Sequence, residues 1–124
     1  MEHDFFSEFK FKTGWKKNDK IDLFGNEYGV VVKLSAYFEE DGITEEQKKA
    51  YIKYKNTEKT VWERLECLLT DFRENPVEEF IPTTLLIDRN GETAFLLDDE
   101  NAPEEGIAAC IFPEEKIVSQ DEYL

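Results

Sequence analysis

Acidic side chains are concentrated in one short stretch of the sequence, between residues 98 and 105. The stretch contains these carboxylates: Asp98, Asp99, Glu100, Glu104 and Glu105. Carboxylate oxygens suit Ca²⁺ or Mg²⁺, and clustered negative charge also suits a basic protein surface. The spacing is not that of an EF-hand loop, and Pro103 and Gly106 are typical of an ordinary turn. Three interpretations stay open: a metal site, a contact surface for a basic partner, or a solvated loop.

Recognisable catalytic motifs are missing from the sequence. The single histidine, His3, is close to the N-terminus, so the pattern supports neither a Ser-His-Asp nor a Cys-His arrangement. There is no GxGxxG motif, no phosphate-binding loop motif, and no cysteine or histidine cluster with zinc spacing. A pair of carboxylates suited to hydrolysis arises easily by chance among 29 acidic residues. We therefore expect a protein that is not an enzyme and holds no cofactor.

The net charge of −14 is distributed unevenly along the chain. Residues 74–124 contain fourteen acidic and two basic side chains, which gives this part a net charge of −12. Such a surface repels nucleic acid and anionic membranes, so we expect neither as a partner, whereas a basic protein would be attracted. The sequence lacks a run of about 18 apolar residues and a signal-peptide pattern, which favours a cytoplasmic location.

A helical pattern over residues 44–73 is the central element of the chain. It must position the acidic residues described above. Its apolar residues recur mostly at spacings of three and four, which is typical of one apolar helix face. Thr44 and Gln47 have the spacing of a capping box at the start of the helix. The apolar pattern lapses near Asn56-Thr57. We predict one long helix, with two helices broken at this point as the alternative.

Alternating residues and short apolar runs predict strands on both sides of this helix. The predicted strands occupy residues 9–15, 21–23 and 28–38, then 83–88, 93–97 and 107–112, with a short edge strand at 116–119. Residues 16–19 are predicted to form a polar turn, and Asn90-Gly91 the turn of a hairpin. We expect a single α+β domain over residues 1–124. Its sheet would be mainly antiparallel, in the order β-β-β-α-β-β-β, with the long helix packed on one face.

Two further kinds of side chain bear on function. Tyr37 is a candidate aromatic anchor for a partner, because large amphipathic rings are common at the centres of interfaces. Cys67 and Cys110 have no CxxC partner, and both are predicted to be small buried hydrophobes.

Several short segments, taken together and in order, resemble a known family. They are Gly14-Trp15, Leu23–Tyr28, Ser35-Ala36-Tyr37, Ile43–Gln47, Leu86–Glu92, Gly106-Ile107-Ala108 and Gln120–Leu124. This pattern is similar to that of small acidic bacterial proteins catalogued as a domain of unknown function. The resemblance extends over residues 9–124 and implies no established activity or catalytic residue. Proteins of this broad type occur among toxin–immunity and accessory genes, which implies a binding protein.

Three hypotheses for function follow. The first is a non-enzymatic, acidic protein-binding module, for example an immunity-like inhibitor of a basic toxin or nuclease, in which residues 98–105 contact the partner. The second is a small divalent-metal-binding protein or enzyme that uses the same acidic loop. The third is a structural protein that self-associates through a sheet edge such as residues 116–119.

Overall fold

A seven-stranded sheet forms the centre of the computed structural model, which describes residues 9–12, 14–102 and 104–123. The strands are β1 (Lys10–Phe11), β2 (Trp15–Leu23), β3 (Asn26–Leu34), β4 (Phe80–Ile87), β5 (Thr93–Asp99), β6 (Ile107–Phe112) and β7 (Lys116–Ser119). They lie side by side in the same order as in the sequence. Neighbouring strands are antiparallel except β3 and β4, which are parallel and pair Leu34 with Ile87 at one end. The predicted α+β class with a mainly antiparallel sheet is therefore confirmed.

Within the described residues, four helices and one 3₁₀ turn accompany the sheet. The helices are α1 (Glu45–Asn56), α2 (Glu58–Phe72), α3 (Pro76–Glu79) and α4 (Gln120–Tyr123), and the 3₁₀ turn spans Glu39–Asp41. Helices α1 and α2 connect β3 to β4, which is why these two strands can run parallel. Among the described residues, no helix is both long and apolar enough to cross a membrane.

The prediction of one long helix is wrong, and so is the simple order β-β-β-α-β-β-β. Thr57 separates α1 from α2, with φ −130° and ψ 27°, which lies outside the α-helical region. Its backbone N–H still donates to the carbonyls of Lys53 and Tyr54, at 3.1 and 3.0 Å. Its hydroxyl also donates to the Lys53 carbonyl, at 2.7 Å, and this local bond competes with regular helix geometry. The chain has two consecutive helices here, as the alternative interpretation proposed.

The first half of the sheet also differs from the prediction. Residues 16–19, expected to form a turn, lie inside β2, where Lys16 pairs with Lys33 and Asp19 with Val30. A tight turn with positive φ at Phe24 (54°) and Gly25 (80°) sets this register. Residues 16–19 are all polar, and Asp19 on the less exposed face is paired with Lys55 of α1 at 3.1 Å, so this part of β2 lacks the apolar alternation that indicates a strand in a sequence.

The core lies between the sheet and the α1–α2 pair. Leu65 and Leu69 of α2 and Tyr51 of α1 are fully buried against strand residues such as Leu85 and Phe95. Cys110 is buried on β6, as predicted, but Cys67 is exposed on α2. Cys67 lies one turn after the exposed residues Glu63 and Arg64, on the solvent side of the helix, so the prediction of a buried side chain there is wrong.

Candidate functional site

The acidic loop, residues 98–105, connects β5 to β6 and is described except for Pro103. Asp98, Glu100, Glu104 and Glu105 are exposed, whereas Asp99 is 3% exposed and therefore buried. Asp99 continues the inward-facing alternation of Thr93, Phe95 and Leu97 along β5. Its carboxylate is thus directed towards the protein rather than towards a partner.

Arg73 neutralises the Asp99 carboxylate. The guanidinium donates to Asp99 Oδ2 at 2.9 Å and to Glu79 Oε1 at 2.6 Å. It also lies 5.3 Å from the Phe72 ring centroid and 5.1 Å from that of Phe80. The hydrogen bonds to Asp99, and then those to Glu79, raise the pKa of Arg73, so the guanidinium remains charged.

This ion pair also fixes the start of the acidic loop. Asp99 Oδ1 accepts a hydrogen bond from the Asn101 backbone at 2.9 Å, and Asn101 Nδ2 donates to Glu79 Oε1 at 2.9 Å. The Glu100 N–H donates to the Glu79 carbonyl at 2.7 Å. Of the predicted contact residues, Asp99 therefore has a structural role. Within the described part of the chain, no three His, Cys, Asp or Glu side chains are grouped in a way that could hold a metal ion.

Tyr37 lies at the other end of the sheet from the acidic loop. Strand β4 connects the two ends: Phe80 pairs with Asp99, and seven residues later Ile87 pairs with Leu34, shortly before Tyr37. At about 3.3 Å per residue, this separation is roughly 23 Å. The structure therefore does not bring Tyr37 together with Asp98, Glu100, Glu104 and Glu105.

The segment that contains Tyr37 has the composition of an interaction surface. We call residues 35–43 the aromatic–acidic loop. Tyr37 is 89% exposed and Phe38 is 63% exposed, and the 3₁₀ turn that follows contains the exposed acids Glu39, Glu40 and Asp41. Asp41 Oδ2 accepts a hydrogen bond from the Phe38 N–H at 3.2 Å, which holds the turn against the aromatic pair.

Arg89 holds the two ends of the aromatic–acidic loop together. Its Nη1 donates to the Ser35 carbonyl at 3.1 Å and to the Gly42 carbonyl at 2.9 Å. Its Nη2 donates to the Asp41 carbonyl at 3.3 Å. Arg89 therefore binds the backbone at both ends of the loop, and the described residues place no carboxylate within 4 Å of its guanidinium.

Gln47 and Thr44 fix the loop from the helix side. Fully buried Gln47 donates through Nε2 to the carbonyls of Ser35, at 2.9 Å, and Ile87, at 3.1 Å. The predicted capping box is confirmed: Gln47 N donates to Thr44 Oγ1, and Thr44 N donates to Gln47 Oε1, both at 3.0 Å. Thr44 Oγ1 also donates to the Arg89 carbonyl at 2.7 Å. The loop is thus rigid at its base, while its tip is exposed.

The sequence patterns did not identify Phe38 or Arg89 as candidate functional residues. They placed Phe38 on one face of a strand over residues 28–38, but β3 ends at Leu34. The Ser35 N–H donates to the carbonyl of Ile87, the last residue of β4, and no residue that the structure describes forms a strand pair with residues 36–38. Arg89 lies in the predicted turn, and nothing in its neighbourhood in the sequence indicates which distant carbonyls it contacts.

Comparison of the chain with protein-family models, with curated proteins and with solved structures gave no match. Its function is therefore inferred from the geometry of its own residues.

Proposed function

We propose that this protein is a non-catalytic binding module that recognises a basic protein through the aromatic–acidic loop. The observation that supports this most directly is the exposure of Tyr37 and Phe38, at 89% and 63%, on a loop whose base is fixed. Large exposed aromatic side chains are costly in water, and they are enriched among the residues that dominate interface energies.

The fixed base of the loop favours tight binding. A flexible loop loses conformational entropy when a partner orders it, and this loss reduces the affinity. Here Arg89 and Gln47 hold the base of the loop by five hydrogen bonds to its backbone and to Ile87 at the end of the adjoining strand. The partner would therefore meet an aromatic pair whose position is already set.

The charges around the aromatic pair indicate the class of partner. Glu39, Glu40 and Asp41 are exposed beside it, and the whole chain has a net charge of −14. These charges would accelerate encounter with a basic protein and would be screened by salt. A basic toxin or nuclease inhibited by an immunity-like protein is one example of this class.

The exposed carboxylates of the acidic loop would act from a distance in this proposal. Asp98, Glu100, Glu104 and Glu105 lie at the opposite end of the sheet, so they would add to the overall field and make few direct contacts. The partner would be met in the cytoplasm, where thiols stay reduced. This fits the presence of two free cysteines, Cys67 and Cys110.

The test is a comparison of immobilised variants in extracts at low and high salt, followed by titration of any basic protein that is retained. We expect Tyr37→Ala/Phe38→Ala to weaken its binding by at least about tenfold. The matched control is Val77→Ala/Ile81→Ala, which removes two exposed apolar side chains, 42% and 40% exposed, from the other end of the sheet. This control should bind like the wild type.

Charge variants separate the two loops. Glu39→Gln/Glu40→Gln should slow association and reduce its salt dependence more than Glu104→Gln/Glu105→Gln, which removes the same charge from the acidic loop. If the basic partner binds Tyr37→Ala/Phe38→Ala normally and loses affinity with Glu104→Gln/Glu105→Gln, then the acidic loop is the contact surface and our proposal is wrong.

A further inference from the structure

A groove runs along one side of the α1–α2 pair, where these helices face the Asn90-Gly91 turn and the end of β6. We call it the helix–sheet groove. Its volume is about 530 Å³, which is within the range of small-molecule sites. The helix residues that line it recur every three or four positions across the break at Thr57, so the two helices form one continuous wall.

The floor of the groove is apolar. It consists of Ala50, Tyr54, Val61, Ile111 and Phe112. The Tyr54 hydroxyl accepts a hydrogen bond from Trp62 Nε1 at 2.9 Å, so the polar end of this side chain already has a partner. Burial raises the pKa of Tyr54, and the phenol is therefore neutral at physiological pH. Phe112 is 49% exposed and leaves apolar surface uncovered at one end of the groove.

Two lysines of α1 line the edge of this floor. Lys49 and Lys53 are exposed and are separated by one helical turn, so both ammonium groups can reach the same bound anion. In the described ranges no carboxylate lies within 4 Å of either ammonium, and the Lys53 Nζ is 5.7 Å from the Phe112 ring centroid. Arg64, another cation of the lining, is paired with Glu115.

This arrangement is unusual in so acidic a chain. With 29 acidic residues against 15 basic ones, most of the surface repels anions. Glu46 also lines the groove, one turn before Lys49, but it forms no ion pair within 4 Å with Lys49 or Lys53. Arg64 offsets Glu115, so the lining keeps one excess positive charge. An apolar floor bordered by these two lysines is complementary to an apolar body that ends in one negative charge.

We propose that the helix–sheet groove binds an amphiphilic carboxylate, such as a fatty acid. The aliphatic chain would lie on Ala50, Val61 and Phe112, and the carboxylate would lie between the ammonium groups of Lys49 and Lys53. The groove would give the protein a second binding activity, separate from the proposed recognition of a basic protein.

The experiment is a calorimetric titration of the full chain with dodecanoate below its micellar concentration. Dodecyltrimethylammonium serves as a ligand of the same length and opposite charge. We expect saturable binding of dodecanoate that is at least about tenfold tighter than that of the cation. The fluorescence of Trp62, which contacts the floor through Tyr54, should change with the same midpoint.

Variants locate the binding. Lys49→Gln/Lys53→Gln should weaken dodecanoate binding by at least about tenfold, because it removes both charges that face the carboxylate. The control Lys48→Gln/Lys59→Gln makes the same change in net charge, with one lysine on α1 and one on α2 outside the groove lining, and it should bind like the wild type. Thr60→Trp places a large side chain over the floor from an exposed helix position and should abolish binding with an unchanged circular dichroism spectrum.

Three results would overturn the proposal. One is equal affinity for dodecanoate and for the trimethylammonium ligand, because the lysines would then have no role. Another is unchanged dodecanoate binding in Lys49→Gln/Lys53→Gln or in folded Thr60→Trp. The third is displacement of dodecanoate by a much tighter acidic amphipathic peptide, which would assign the groove to a protein segment instead.

Discussion

The aromatic–acidic loop and the acidic loop are both rich in carboxylates, but they differ in what an arginine does beside each of them. Arg73 binds the carboxylates of Asp99 and Glu79, so part of the negative charge near the acidic loop is neutralised inside the protein. Arg89 binds backbone carbonyls of the aromatic–acidic loop, at Ser35, Asp41 and Gly42. Within the described residues, it forms no ion pair with the carboxylates of Glu39, Glu40 or Asp41, which stay exposed.

This difference shows that the number of acidic residues in a loop overstates the charge offered to a partner, because four of the five carboxylates of the acidic loop are exposed and the fifth is neutralised by Arg73. The acidic loop contains more carboxylates, but the buried one, Asp99, pairs with Arg73 and stabilises the fold. The aromatic–acidic loop has fewer acids, yet all of them are exposed beside two exposed rings. The two loops therefore differ mainly in the exposed aromatic pair, Tyr37 and Phe38, which has no counterpart among residues 98–105.

The largest effect is expected from breaking the Arg73–Asp99 pair. Arg73→Gln leaves the Asp99 carboxylate buried without its cation, and we expect a loss of about 3 kcal/mol in the free energy of unfolding. Urea denaturation measures this loss. The control Arg64→Gln removes a more exposed ion pair with Glu115 and should cost less than about 1 kcal/mol. Equal costs for the two variants would show that the Arg73–Asp99 pair adds little to stability.

A smaller effect on stability is expected at the other end of the sheet. Arg89→Gln removes hydrogen bonds to three carbonyls, and we expect a loss of about 2 kcal/mol. Amide hydrogen exchange should increase mainly over residues 35–43, because the base of the loop is no longer fixed. An increase spread evenly over the sheet would contradict a local role for Arg89.

Removal of the helix cap should have a still smaller effect. Thr44→Ala removes the acceptor of the Gln47 N–H and the donor to the Arg89 carbonyl, and we expect a loss of about 1 kcal/mol. Thr44→Ser keeps the hydroxyl and is the matched control. If Thr44→Ser is as destabilising as Thr44→Ala, then the hydrogen bonds of the hydroxyl are not the cause.

The smallest effect is expected from the exposed carboxylates themselves. Glu39→Gln/Glu40→Gln and Glu104→Gln/Glu105→Gln should each change the free energy of unfolding by less than about 0.5 kcal/mol, because all four side chains are exposed. Asp99→Asn alters a buried ion pair, so it should lower the free energy of unfolding more than either double variant. A large loss for either double variant would indicate that these carboxylates also stabilise the fold.

Much of the fold could be predicted from local patterns. The strands after the helices follow short apolar runs, the Asn90-Gly91 turn forms with φ 92° at Gly91, and the capping box at Thr44 is present. The break at Thr57 was visible as a lapse in the apolar spacing. The spacing of apolar residues does not show whether a helix continues through such a lapse. The backbone dihedral angles of a single residue, here Thr57, decide whether the helix breaks.

The candidate site was less predictable, because it depends on contacts between distant residues. The burial of Asp99 had a local signal, since it continues the alternation of Phe95 and Leu97 on β5 by two residues. Its partner Arg73 is 26 residues away, and no short-range pattern indicates that pairing. The exposure of Phe38 depends on where β4 ends, which determines where β3 loses its neighbour.

The parallel pairing of β3 with β4 has a consequence for how the chain folds. All other strand pairs join neighbours connected by short segments, whereas β3 and β4 are separated by about 45 residues that include α1, α2 and α3. Closing so long a loop costs more entropy than closing a hairpin, and non-local contacts slow folding. We therefore expect the antiparallel units β1–β3 and β4–β7 to form early. The pairing of β3 with β4 should then limit the folding rate.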